Sequence, residues 1–245
     1  MLATTKNYLK KAFLIIASLS LFSCFNQNQH TIKGSGNLVT QKRELTENFR
    51  KIEVSNALEV IIEQGNHSEI IVEADDNLQN SIVTKIENGT LFIRRENGNF
   101  SSEKPQKVYI KIPLIEEITA NSASTIKTKN TLKGENIVLN TSSAAKIEAQ
   151  LEIDSIKANS SSASKIEIKG LALHLEVETS SAAKIEAEDL LANSVTAQAS
   201  SGSKISIHPI VSLKADASSG SKIEYNNTPK QIDKTASSGG NIEHN

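Results

Sequence analysis

From residue 118 onward, apolar and small residues alternate with polar ones, and the alternation recurs. In LALHLEVETSSAAKIEAE (171–188), Leu173, Leu175, Val177, Thr179, Ser181, Ala183, Ile185 and Ala187 share one parity. His174, Glu176, Glu178, Ser180, Ala182, Lys184, Glu186 and Glu188 share the other. A period of two is the signature of a half-buried strand, whereas a helix would spread these apolar residues around its axis. Ile137, Leu139, Thr141, Ser143, Ala145 and Ile147 follow the same rule, as do Leu213, Ala215, Ala217, Ser219, Ser221 and Ile223.

The strands share a phrase. TSSAAKI stands at 141–147 and 179–185, SSSASKI at 160–166, and ASSGSKI at 199–205 and 217–223. Its closing isoleucine recurs at Ile126, Ile147, Ile166, Ile185, Ile205, Ile223 and Ile242, about 19 residues apart. A catalytic motif is needed once; a phrase repeated at a period near 20 indicates a solenoid. One such unit cannot bury its own apolar face, so the units must stack. The fold class expected is all-β: a right-handed parallel β-helix of about 19-residue coils, because parallel crossovers are almost always right-handed. Seven coils at strand spacing make a sheet roughly 30 Å long.

Carried through the phrase, the parity places Ser143, Ser162, Ser181, Ser201, Ser219 and Ser238 inside. It places Ala144, Ala163, Ala182, Gly202, Gly220 and Gly239 outside. Three coils carry alanine there, so no positive φ is expected. Further along the outer face come Lys146, Lys165, Lys184, Lys204 and Lys222. Like charges at ladder spacing repel by about 1 kcal/mol in water. Glu148, Glu167, Glu186 and Glu224, two residues on, offset that repulsion. Such stripes serve solubility and register. The same five lysines, with Ser142, Ser161, Ser180, Ser200 and Ser218, also form the candidate binding strip.

Residues 34–117 are less regular but rich in strand patterns. Ile52 and Val54, then Leu58, Val60 and Ile62, then Ile70 and Val72 alternate. IVTKIENGTLFIRRENG (82–98) reads as a hairpin turning at Asn88-Gly89. SNALEV (55–60) looks like a degenerate first copy of the phrase. This part is expected to supply the first, irregular coils and a strand-rich cap, ahead of regular repeats over 118–245. Asp75-Asp76-Asn77 reads as a solvated loop, because the remaining spacing of a calcium loop is missing.

The start of the chain changes the picture. Lys6, Lys10 and Lys11 precede an apolar run from Ala12 to Phe22, which is too short for a comfortable membrane span. The run ends in LFSC, similar to a bacterial lipobox. The expectation is a lipoprotein signal peptide over 1–23, lipidation of Cys24, and a tether over 24–33. Several acyl chains on Cys24 would hold the protein at the outer membrane of a Gram-negative bacterium, facing either the periplasm or the exterior. Cys24 is the only cysteine, so no intrachain disulfide or cysteine-based redox pair can form. Without the three leader lysines, 24 basic side chains face 28 acidic ones, a net of −4. That balance offers no basic footprint for nucleic acid.

Three segments resemble one family. GSGNLVTQKRELTENFRKIEVSNALEVIIEQG (34–65), EADDNLQNSIVTKIENGTLFI (73–93) and YNNTPKQIDKTASSGGNIEHN (225–245) look like the putative auto-transporter adhesin, head GIN domain family. The resemblance covers 34–245. It implies a right-handed β-helix on an exported, often lipid-anchored bacterial protein with an adhesin-like role. It supplies no catalytic residues, and this chain carries lysine where the family's repeated phrase usually has aspartate.

Enzymatic chemistry finds little support in the residues. Polysaccharide lyases built on β-helices need clustered acids, a Lys or Arg base and aromatic platforms, yet 110–245 hold no Arg, Trp or Phe. His30, His67, His174, His208 and His244 show no metal spacing, and no serine sits in a nucleophile elbow. No cofactor or metal is expected. Asp154-Ser155-Ile156 resembles a short O-glycosylation motif, with Ser155 as acceptor. Two functions are expected from this reading: a non-catalytic envelope module binding a glycan or a protein, or a structural protein that dimerises through an uncapped C-terminal sheet edge.

Overall fold

The computed structural model describes residues 31–245. The leader, Cys24 and most of the tether lie outside the described residues. The described residues divide into two compact units, residues 31–32 with 98–100, and 33–97 with 101–245. Two short strands, β1 (Thr31–Lys33) and β8 (Asn99–Ser101), pair with each other as a two-stranded sheet.

The second unit begins with mixed pairing. β2 (Leu38–Arg43) runs antiparallel to β5 (Glu69–Asp75), which runs antiparallel to β9 (Lys107–Ile112). β6 (Ile82–Glu87) and β7 (Thr90–Arg95) form the expected hairpin, with φ of 50° at Asn88 and 74° at Gly89. β3 (Lys51–Val54) joins β7, and β4 (Glu59–Gln64) joins β9, both in parallel.

From β10 (Glu117–Ala120) onward the new pairings are parallel. β11 (Thr125–Thr128) and β12 (Leu132–Thr141) lead into four long strands: β13 (Lys146–Ser160), β14 (Lys165–Thr179), β15 (Lys184–Ala199) and β16 (Lys204–Ala217). β17 (Lys222–Tyr225), β18 (Gln231–Ala236) and β19 (Asn241–His244) finish the stack. The result is a β-solenoid whose coils align the repeated phrase. One inward ladder runs Val108, Val60, Ile126, Ile147, Ile166, Ile185, Ile205, Ile223, Ile242 through successive paired strands. All but Ile242 are essentially fully buried. Each such side chain contributes roughly 1.5–3 kcal/mol of burial. Phe49 and Tyr225 are the buried aromatics among the described residues; aliphatic side chains fill the rest of the core.

The corner made by the phrase departs from the parity reading. Ser143, Ser162, Ser181, Ser201, Ser219 and Ser238 are exposed, not inward. In the second coil, Ala145 N–H donates to the Ser142 carbonyl at 3.2 Å, closing a four-residue turn. Both central residues have positive φ: 53° and 60° at Ser143-Ala144, 55° and 59° at Ser162-Ala163, 54° and 59° at Ser181-Ala182. That is a type I′ turn built with L-residues. The alanines do adopt positive φ, contrary to the expectation. Two residues are spent turning the corner, so the inward positions flanking it are Thr141 and Ala145, and Ser143 swings out.

Neighbouring coils hold the strained turns in place. Ala144 N–H donates to the Ser162 carbonyl at 3.0 Å, Ala163 to Ser181 at 3.0 Å, Ala182 to Ser201 at 3.0 Å and Gly202 to Ser219 at 3.0 Å. SNALEV begins the same stack: Asn56 and Ala57 have φ of 63° and 57°, and Ala57 N–H donates to the Ser122 carbonyl at 2.9 Å. Buried hydroxyls behind the corner are satisfied locally, as burial requires. Thr141 donates to Ser160 at 2.9 Å, Thr179 to Ser203 at 2.7 Å, and Ser221 to the Ala199 carbonyl at 2.8 Å.

Two other readings are corrected. Leu173 is 46% exposed; a second corner turns both Leu173 and His174 outward before parity resumes at Leu175. Of Asp75-Asp76-Asn77, Asp76 and Asn77 are exposed as expected, but Asp75 is fully buried, not solvated. It accepts hydrogen bonds from Gly36 N–H at 3.0 Å and from the Ser102 hydroxyl. Asn77 Oδ1 accepts from Ser35 N–H at 2.9 Å, so the acidic run latches the GSGN loop (34–37) to the short 3₁₀ helix Asp76–Ser81.

Candidate functional site

The type I′ corner separates the two halves of the predicted strip. Ser142, Ser161, Ser180, Ser200 and Ser218 stand just before it, half-buried. They line one side of a groove of about 530 Å³, which none of the five ladder lysines lines. Its other side is the outward row two residues earlier: Asn140, Asn159, Glu178, Gln198 and Asp216, in register through β12 to β16. This second row was not singled out by the sequence reading. Its signal is positional: each member precedes a groove serine by two residues, and so shares its face.

The amides are linked along the stack. Asn159 Nδ2 donates to Asn140 Oδ1 at 2.9 Å, and Asn140 Nδ2 donates to Glu117 Oε1 at 3.1 Å. Ser142 donates to Asn121 Oδ1 at 2.7 Å. The chain of amides stops at Asn159, whose Oδ1 is enclosed and accepts no hydrogen bond. Its partner in the next coil is Glu178, which has no proton to give when ionised. Glu178 and Asp216 make the groove acidic, with Lys157 3.9 Å from Glu178 as partial compensation. The groove therefore presents hydroxyls, amides and carboxylates, without an aromatic platform.

Beyond the corner the lysines are committed to glutamates. Lys146 pairs with Glu148 and lies 3.5 Å from Glu167; Lys165 lies 3.2 Å from Glu167 and 2.5 Å from Glu186. Lys204 and Lys222 share Glu224 at 2.7 and 2.6 Å, and Lys222 also reaches Glu243 at 2.6 Å. Hydrogen bonds to Glu224 and Glu243 push the Lys222 ammonium up to about 12. Glu224, hydrogen-bonded by Lys204 and Lys222, is held below the usual carboxylate range. Lys146, Lys165, Lys204 and Lys222 each reach a glutamate of the next coil, whereas Lys184 pairs with Glu186 of its own coil, so the stripe acts as an electrostatic zipper. Exposed pairs of this kind contribute roughly 0–1 kcal/mol each.

Ser155 sits half-buried on the outer side of β13, opposite Asn136 and His174. Among the described residues, no group of three or more His, Cys, Asp or Glu is placed to hold a metal. Nor is any helix there long and apolar enough to cross a membrane.

Solved structures share the architecture. A putative adhesin from Bacteroides fragilis NCTC 9343 superposes with a TM-score of 0.81 at 20% identity, covering 87% of this chain and 100% of that one. A putative adhesin from Parabacteroides merdae ATCC 43184 gives 0.71 at 18% identity, over 88% and 99% of the two chains. A putative lipid binding protein from Parabacteroides distasonis ATCC 8503 gives 0.72 at 18% identity, over 88% and 100%. At these identities the likeness shows the fold. No curated protein sequence matches the chain. The family model described as putative auto-transporter adhesin, head GIN domain matches residues 48–229, which include the groove and the corners from Asn56 to Gly220, and the chain belongs to that family.

Proposed function

We propose that this protein is an adhesin-like, non-catalytic binding module, carried on the cell envelope by lipid at Cys24 and displayed at the outer membrane. Its ligand is a glycan or a protein surface. The observation that carries the reading is the groove: about 530 Å³ of hydroxyl, amide and carboxylate groups repeated in register over five coils. A periodic array of small polar groups suits an extended ligand that makes many modest hydrogen bonds, each worth about 1 kcal/mol. The family assignment supports the adhesin-like role. The solenoid and the family together speak for binding over catalysis.

The lysine stripe is assigned a structural role, because its charge is already spent on glutamates. The test separates the two halves of the strip. Purified protein is screened on a glycan array and against envelope proteins, beside Ser161→Leu/Ser180→Leu/Ser200→Leu and Lys165→Gln/Lys184→Gln/Lys204→Gln. Leucines fill the groove without entering the core. Binding is expected to fall at least tenfold in the first variant and to stay within threefold in the second. Equal binding by the leucine variant refutes the groove as the site.

A further inference from the structure

A second recess lies on the outer face of the mixed-pairing region. Tyr109 in β9 has Ile71 of β5 and Ile61 of β4 as its cross-strand neighbours. All three are half-buried outward residues that leave a recess of about 430 Å³. Charged rows bound this apolar row on both sides. Two residues along each strand, one row is Glu69, Lys111, Glu63 and the other is Glu73, Lys107, Glu59. At its ends the row meets Lys42, opposite Ile71, and Lys127, opposite Ile61. The apolar floor is thus one row wide and three strands long, roughly 10 Å, and ringed by charge.

The ring is held in place by ion pairs. Glu63 lies 3.3 Å from Lys111 and 2.6 Å from Lys129, and Glu69 lies 2.8 Å from Lys42. Lys129 and Lys111 keep Glu63 below the usual carboxylate range, and Lys42 does the same for Glu69. The Tyr109 hydroxyl donates to Glu73 Oε1 at 3.4 Å.

We propose that this recess binds one pyranose unit of a neutral glycan, with Tyr109 as its platform. A pyranose has an apolar C–H face and a periphery of hydroxyls that both donate and accept. The floor matches the face, and the rim offers acceptors at Glu63 and Glu69 beside donors at Lys111 and Lys129. Those four charges cancel, Lys42 and Lys107 offset Glu73 and Glu59 in the outer ring, and Lys127 is paired with Glu148 at 3.7 Å, so the site gives no net attraction to an acidic sugar. An acyl chain or an amphipathic helix needs a longer apolar track, and here it would run straight into the charged rows. The recess shares no residue with the groove, so it stands or falls independently of the groove's assignment.

The chain has no tryptophan, so tyrosine emission is readable without interference. The purified protein is titrated with maltotriose, cellotriose, chitotriose and trigalacturonic acid at millimolar concentration, followed by emission and calorimetry. At least one neutral trisaccharide is expected to saturate. Tyr109→Ala should weaken that binding at least tenfold with an unchanged circular dichroism spectrum, and Tyr109→Phe should stay within threefold. The groove variant Ser161→Leu/Ser180→Leu/Ser200→Leu should bind as the parent does. The proposal is overturned by no saturation with any neutral sugar, or by equal binding in Tyr109→Ala. It is also overturned by a preference for trigalacturonic acid, or by loss of binding in the groove variant alone.

Discussion

At the scale of single residues, the repeated phrase is a solution to a corner. Ser181 and Ala182 sit at φ of 54° and 59°, a region that costs an L-residue about 1–2 kcal/mol. Glycine removes that cost but adds unfolded-chain entropy, so coils with Ser201-Gly202 and Ser219-Gly220 solve the same corner differently. Ala182→Gly is therefore expected to stabilise the protein by about 0.5–1 kcal/mol, read as a higher urea midpoint. A lower midpoint would mean that the alanine methyl makes a contact worth more than the strain. This corner is also where the sequence misled. Strict alternation carried through Thr141 to Ala145 puts Ser143 inside, and alternation has no means of registering two residues spent on a turn. The alanines hid the signal, since only glycine advertises positive φ. Ser142, Ser161, Ser180, Ser200 and Ser218 were legible as outward residues. Asn140, Asn159, Glu178, Gln198 and Asp216 were equally outward, but they vary in type and so escaped a search for repetition.

At the scale of elements, the strands were legible because each long strand buries one face of aliphatic residues. β14 and β15 pair over nearly their whole length, with Ile166 opposite Ile185 and Leu175 opposite Val195. Gly170 shows how closely the coils approach: a Cβ there would lie 2.0 Å from the Leu151 carbonyl oxygen. The C-terminal edge was expected to be uncapped, and the final coil carries its own deterrent. β18 is exposed along its length, and its inward position opposite Ala215 is Lys234. The Lys234 ammonium hydrogen-bonds the Tyr225 hydroxyl at 3.1 Å and lies 5.3 Å from the ring centroid. His244, opposite Tyr225, packs edge-on against it. An inward-pointing charge on an edge strand opposes pairing with a second copy. Lys234→Val should promote concentration-dependent dimerisation relative to the parent, measured by light scattering. A parent protein that already dimerises would favour the assembly function instead.

At the scale of the whole molecule, the zipper of lysines and glutamates sets the response to pH. Glu186 and Glu224 in the zipper, and Glu63 in the ring of the second recess, are held below the usual carboxylate range, Glu63 and Glu224 chiefly by lysine hydrogen bonds. At Glu186 burial opposes ionisation, and Lys165 and Lys184 outweigh it. A depressed carboxylate stabilises the fold above its unfolded value, and that contribution is lost as pH falls through the folded one. Lys222 is raised from 10.5 to about 12, so its contribution is complete below 10.5 and is lost as pH rises through about 12. Stability should therefore be flat from about pH 5 to 10 and decline on either side, as read by thermal melts across pH. A single maximum near neutrality, with steep flanks, would show that groups outside the zipper dominate.

The same scale holds the functional claim. A module that binds partners outside the cell must be reachable from outside. Protease shaving and antibody labelling of intact cells, with Cys24→Ala as the control, test this most directly. The account predicts that the solenoid is labelled and cleaved on intact cells, and that Cys24→Ala removes it from the surface. A protein protected until the envelope is broken would contradict display on the cell surface and place its partners in the periplasm.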